Sequence, residues 1–151
     1  MRIERVVRRP QPIIGMHQRV KIDDLTDFLA RAYVGVCGEL SRLRVRASGP
    51  PVALYTGEVE EKVDVVAGFP VAAFLLPGDR FVTAELPGGQ TVETIYRGTY
   101  DDLAEAYDQL IAWLAERDLE AADQVWEEFL AGPNTEGDPA RWCTRIVYPL
   151  A

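Results

Sequence analysis

Apolar and polar residues alternate from Ile13 to Ile22. Ile14, Met16, Val20 and Ile22 share one side with the polar Gln18, and His17, Arg19 and Lys21 fall on the other. A period of two predicts a half-buried β-strand. At Asp23 and Asp24 the period changes: Leu25, Phe28, Leu29, Ala32, Tyr33, Val36 and Leu40 recur every three or four residues, the spacing of one helix face. The two aspartates sit at the helix start, whose positive end favours acidic groups. Gly35 and Gly38 fall inside this helix, and each weakens it by about 1 kcal/mol relative to Ala. They predict close packing against another backbone or an early end. Arg42, Arg44 and Arg46 then read as a solvated loop closed by Ser48-Gly49-Pro50-Pro51.

Beyond that loop the pattern returns to short apolar runs. Val52–Thr56 reads as a strand, Glu58, Glu60 and Glu61 as an exposed connection, and Val63–Ala73 as a strand broken near Gly68 and Pro70. Phe81–Leu86 and Thr91–Tyr96 read as strands on either side of Pro87-Gly88-Gly89-Gln90. That tetrapeptide predicts a hairpin, because glycine supplies the positive φ that tight turns demand. A second helix, capped by Thr99 or Asp101, has its buried stripe at Leu103, Ala106, Tyr107, Leu110, Ile111 and Leu114. Asp123–Leu130 is a strand, followed by a Gly-Pro-Asn loop at 132–134 and a closing strand, Trp142–Tyr148. Ile3–Arg9 reads only as a basic segment ended by Pro10 and Pro12.

The order of elements looks like one unit used twice. The segment from Arg19 to Leu25 aligns with that from Arg97 to Leu103, with four identical residues in seven, and each leads into a helix of the same apolar phase. Two such halves, divided near residue 76, predict a single α+β domain over residues 1–151 with pseudo-twofold symmetry. The seam between the halves is where a pocket can form.

Composition narrows the partners. A chain of 151 residues with a formal net charge of −8 suits one domain and argues against direct nucleic-acid binding, which needs Lys and Arg in excess. Cys37 and Cys143 are far apart in apolar contexts and read as small core residues in a reducing compartment. The apolar runs are too short to span a bilayer, which takes about 20 residues, and the N-terminus carries no signal-peptide core. The expected location is the cytoplasm. One histidine, His17, and no His/Cys cluster leave no basis for a zinc site. Phosphate-loop, dinucleotide and nucleophile-elbow patterns are also missing, so no cofactor is expected.

What stands out is Val125-Trp126-Glu127-Glu128-Phe129-Leu130, two adjacent glutamates inside an apolar strand. Successive strand residues point to opposite faces, so one of the two carboxylates points inward. Such a group is costly without a partner, which is either an internal donor or a ligand. Aromatic residues lie on or beside the strands, and a few of them at the seam would form a cage for a flat or cationic molecule. The candidate binding set is Glu127, Trp126, Phe129, Tyr96, Tyr148, Tyr55 and Trp142.

In the second half, four segments occur in order: Leu86-Pro87-Gly88-Gly89, Gly98-Thr99-Tyr100-Asp101-Asp102-Leu103, Trp126-Glu127-Glu128-Phe129-Leu130, and Thr144-Arg145-Ile146-Val147-Tyr148-Pro149. Together they resemble the GyrI-like effector-binding family, and the first half resembles it more weakly. Phe129 stands where the family pattern has tyrosine, and Arg145 where an acidic residue commonly follows the threonine. The resemblance implies duplicated βαββ units, an antiparallel sheet with two main helices, and a central pocket. It also implies a bacterial, stand-alone small-molecule binding protein for lipophilic, often cationic compounds, acting in transcriptional regulation or in drug sensing and sequestration. The pocket carboxylate of the family matches Glu127, which strand alternation independently groups with Val125 and Phe129. Two alternatives implied by the family are a hydrolase of reactive electrophiles that uses Glu127, and a protein inhibitor of DNA gyrase. The expected partners are a small-molecule ligand and a regulator or gyrase, with no membrane contact.

Overall fold

The computed structural model describes residues 1–133 and 135–151; Asn134, the last residue of the expected Gly-Pro-Asn loop, lies outside them. In chain order the strands are β1 (Ile3–Arg8), β2 (Gln11–Lys21), β3 (Val52–Thr56), β4 (Lys62–Pro70), β5 (Val82–Leu86), β6 (Gly89–Arg97), β7 (Gln124–Ala131) and β8 (Cys143–Pro149). Helix α1 (Leu25–Leu43) follows β2 and helix α2 (Leu103–Glu116) follows β6. All the strands join one antiparallel sheet in the order β1-β6-β8-β7-β3-β4-β2-β5, which curls into a half-barrel. The units β2-α1-β3-β4 and β6-α2-β7-β8 repeat the same βαββ path and meet where β3 pairs with β7.

The equivalent helix starts reflect equivalent sequence. A single 3-10 turn, Ile22–Asp24 in one half and Tyr100–Asp102 in the other, precedes each α-helix. No side chain caps either helix through a hydrogen bond, contrary to the expected Thr99 or Asp101 cap. The paired aspartates contribute through charge at the positive helix end. Helix α1 does not stop at its glycines: it runs on to Leu43 and takes Arg42 out of the expected loop. It ends at Arg44, which adopts the left-handed conformation with φ 59°. A Cβ on Gly35 would lie 3.2 Å from the Met16 sulfur, so this glycine permits close packing on β2. Phe28, Ala32, Val36 and Leu40 form the buried face of α1, and Ala106, Leu110 and Leu114 that of α2. Each large apolar side chain so buried stabilises the fold by about 1.5–3 kcal/mol. Ile111, expected in the α2 stripe, instead faces solvent.

The hairpin expected at Pro87–Gln90 does not form. Strand β5 pairs with β2, and β6 pairs with β1. The basic segment at the N-terminus is therefore a strand, and the segments 3–21 and 82–97 run as two long antiparallel partners. Their register is unbroken across the switch, with Arg8 opposite Gly89 and Gln11 opposite Leu86. Strand structure is interrupted on both partners where Pro10 and Gly88 meet, so closely that a Cβ on Gly88 would lie 2.5 Å from the Pro10 ring. Each half thus lends its leading strand to the other, which binds the halves into one unit.

Other departures are local. Cys37 is exposed on α1 while Cys143 is buried, and both are free thiols; Cys37 is not a core residue. Strand β4 continues straight through Gly68. Glu39, buried at the end of α1, accepts hydrogen bonds from Arg42 and the Gly78 backbone N–H, which hold its carboxyl down to about 2 and fasten the loop after β4. Among the described residues no helix is long and apolar enough to cross a membrane.

Candidate functional site

Strand β7 lies at the centre of the sheet, between β3 and β8, and alternation sends its two glutamates to opposite faces. Their environments differ in kind. Glu128 shares the helix-free face with Trp126, which is fully buried and donates its indole N–H to Glu128 Oε2 at 2.9 Å. Arg145 donates to Glu128 Oε1 at 2.7 Å, and Arg8 donates to Glu128 Oε2 at 3.1 Å. Arg8 also grips Glu93 through two hydrogen bonds. Strand β1 is thereby tied to β6 and β7 by a network of two arginines and two carboxylates. A depression of about 240 Å³ opens beside it, lined by Arg8, Gln11, Pro50, Val52, Trp126 and Glu128. The Arg8 and Glu128 charges that line it are already paired with each other.

Glu127 faces the helices. In the sheet it sits between Ala53 of β3 and Ile146 of β8. The α1-side core (Phe28, Ala32, Ala53, Tyr55) lies to one side of it and the α2-side core (Ala106, Leu110, Ile146) to the other. It is 6 % exposed. Tyr55 of β3 donates to Oε1 at 3.3 Å, and Tyr107 of α2 donates to Oε2 at 2.5 Å. Among the described residues no arginine, lysine or histidine pairs with it. Burial raises its pKa above the ordinary carboxylate value, and the two phenol hydroxyls only partly offset that cost.

Tyrosines converge on this carboxylate from both halves. Burial and then the Glu127 charge push the phenols of Tyr33, Tyr55 and Tyr107 well above their usual value, and those of Tyr100 and Tyr148 upward as well. The rings form two edge-to-face series. Tyr33 packs on Phe69 and Phe129, Phe129 on Tyr100, and Tyr100 on Trp142 at 5.3 Å between centroids. Tyr107 packs on Tyr148 at 6.1 Å. Tyr100, on the turn before α2, is 38 % exposed and marks the solvent side of the cluster.

Of the residues expected from the sequence, Glu127, Tyr55, Phe129, Tyr148 and Trp142 come together here. Trp126 does not, because alternation places it with Glu128 on the other face. Tyr96 packs against the α2-side core, with its hydroxyl donating to the Thr99 carbonyl. Phe129 takes its place in the ring series without a hydroxyl, and Tyr55 and Tyr107 are the donors to the carboxylate. Tyr33, Tyr100, Tyr107 and Phe69 were outside that set. Tyr33 and Tyr107 read as ordinary members of helix stripes, and the one available signal was a hydroxyl on an otherwise apolar face.

A curled sheet carrying two helices, with a carboxylate and aromatic rings at the seam of its repeats, defines an α+β domain organised around an internal site. The chain belongs to a known family of this kind: the model of the GyrI-like small molecule binding domain matches residues 1–151. The EcmrR C-terminal domain superposes with a TM-score of 0.83 at 19 % identity, covering 99 % of this chain and 96 % of that one. EcmrR in its DNA complex in EcmrR-RPo gives a TM-score of 0.81 at 19 % identity, covering 99 % of this chain and 56 % of that one. SAV2435 bound to tetraphenylphosphonium gives 0.72 at 10 % identity, covering 100 % of this chain and 94 % of that one. No curated protein matches the sequence. At these identities the structural likenesses establish the fold.

Proposed function

We propose that the protein binds lipophilic cations at the seam, with ionised Glu127 as the counter-charge, and serves in transcriptional regulation or in drug sensing and sequestration. One observation carries this reading. Two adjacent buried glutamates are treated differently: Glu128 is neutralised by two arginines, whereas Glu127 has only phenol donors. A ligand that brings a positive charge supplies what the protein withholds, and the surrounding rings offer cation–π faces worth up to about 2 kcal/mol each when desolvated. Tetraphenylphosphonium in a protein of the same fold makes it the natural first probe.

The test is a thermal-shift and calorimetric titration with tetraphenylphosphonium, against neutral triphenylphosphine oxide as the shape control. The expected result is a dissociation constant on the order of micromolar for the cation, with the neutral compound weaker by about tenfold or more. No binding of the cation up to millimolar concentration, or equal binding of the two, overturns the reading.

The raised pKa of Glu127 adds a pH dependence. In the unliganded protein, burial favours the protonated acid. Its contribution to stability is therefore fully present below the unfolded pKa and is lost as pH rises through the higher folded one. Cation binding has the opposite sign, because it requires the carboxylate and so releases protons. Affinity for a permanent cation should fall as pH is lowered from 7 towards 5, by at most about tenfold per pH unit below the site pKa. Calorimetry in buffers of different ionisation enthalpy would register the proton release. Affinity that is flat over this range, with no proton release, contradicts protonation of Glu127 in the free site.

A further inference from the structure

Buried threonines in this sheet are satisfied with one exception. Thr91 donates to the Val6 carbonyl at 2.9 Å, and Thr94 donates to the Arg2 carbonyl at 2.7 Å. Thr144 is 0 % exposed, and among the described residues its Oγ1 is the buried side-chain polar atom without a partner. Leaving a buried hydroxyl unpaired is unfavourable, and valine would fill nearly the same volume without that cost. Thr144 lies on β8 opposite Phe129 of β7 and Tyr96 of β6. Because Ile146 is the partner of Glu127, Thr144 is the diagonal neighbour of Glu127 on the same face. Diagonal pairs have Cβ atoms about 7–8 Å apart. On that face its direct cross-strand neighbour is Phe129, the ring that packs on Tyr100 on the solvent side of the cluster.

We propose that Thr144 Oγ1 is a hydrogen-bonding subsite of the Glu127 pocket, which selects lipophilic cations bearing a hydroxyl, carbonyl or amide group one diagonal strand spacing from the positive centre. This rests on the reading of Glu127 as counter-charge and specifies the ligand class that reading leaves open. A threonine hydroxyl both donates and accepts, so it serves any of these groups. A cation with only hydrocarbon arms binds to Glu127 and the rings and leaves Oγ1 unpaired.

The test compares tetraphenylphosphonium with [4-(hydroxymethyl)phenyl]triphenylphosphonium by calorimetry on the full chain. Wild type should bind the hydroxymethyl cation about fivefold tighter. Thr144→Val should bring the two within about twofold while leaving affinity for tetraphenylphosphonium unchanged, and Thr144→Ser should keep the preference. Without ligand, Thr144→Val should melt a few degrees higher than wild type. Should the valine variant fail to fold, Thr144→Ala reports the same loss of preference. Retention of the preference in Thr144→Val or Thr144→Ala, or no preference in wild type while both cations bind, overturns the subsite and leaves Glu127 as counter-charge standing. Binding of tetraphenylphosphonium without the hydroxymethyl cation likewise overturns only the subsite, and failure of both cations to bind wild type removes both proposals.

Discussion

Glu127→Gln should weaken tetraphenylphosphonium binding by about 10–100-fold, the range expected when a charge-assisted interaction worth about 1.5–3 kcal/mol is lost. The substitution preserves shape and keeps polar atoms in place for Tyr55 and Tyr107, so the effect isolates the charge. Its consequence for folding has the opposite direction. A neutral amide is cheaper to bury than a carboxylate without a cation, and the variant should melt at or above the wild-type temperature. Loss of binding with retained or improved stability separates a ligand-directed carboxylate from a structural one. Glu128→Gln supplies the contrast, since it removes a partner of Arg8 and Arg145 on the other face. It should lower stability and leave affinity for the cation within about twofold. Equal affinity in wild type and Glu127→Gln would remove Glu127 from recognition.

Gly68→Ala should be the most damaging small substitution in the sheet. Gly68 of β4 pairs with Gly15 of β2 and Val52 of β3. A Cβ at this position would lie 1.9 Å from the Ile14 carbonyl oxygen and 2.6 Å from the Gly15 Cα. Both obstacles are backbone, so no side chain can turn aside. Relief requires parting β2 from β4, and with it Ile13 and Ile14, both fully buried. The expected loss exceeds about 4 kcal/mol, a fall in melting temperature of roughly 8–16 °C for a domain of this size, or failure to fold. Urea or thermal unfolding measures it. A variant within about 1 kcal/mol of wild type would mean that the two strands do not approach this closely.

Much of this architecture was legible because periodicity reports burial directly. The alternation in Ile13–Ile22, the helical spacing from Leu25 to Leu40 and the repeated Asp-Asp-Leu each correspond to an observed element. Strand exchange was not legible. Pro87-Gly88-Gly89 signals a bend, and a local signal cannot say that the strands leaving it pair with partners far away in the chain. The Ile3–Arg8 strand was hidden for a related reason. It is a charged edge strand, as edges tend to be, and Arg8 gains its meaning only from Glu93 and Glu128.

The site divides along the same line. Strand alternation acts over adjacent residues, so it separates Glu127 from Glu128 and places Trp126 with Glu128. It does not choose between two glutamates that are both buried, and the family resemblance made that choice. Tyr33 and Tyr107 matched the apolar helix stripes so well that nothing local distinguished them. Their place beside the carboxylate comes from how α1 and α2 lie over the seam, a tertiary outcome. The unpaired hydroxyl of Thr144 is of the same kind, since being without a partner is a property of the surroundings and not of the residue.

The central claim, that a ligand cation pairs with Glu127, is tested most directly by a crystal structure of the protein with tetraphenylphosphonium. The predicted result is the phosphonium centre within about 6 Å of the Glu127 carboxylate, its phenyl arms among the rings of Tyr33, Tyr55, Tyr107 and Phe129. A cation bound on the Glu128 face, or elsewhere with Glu127 still closed beneath its tyrosines, would contradict it.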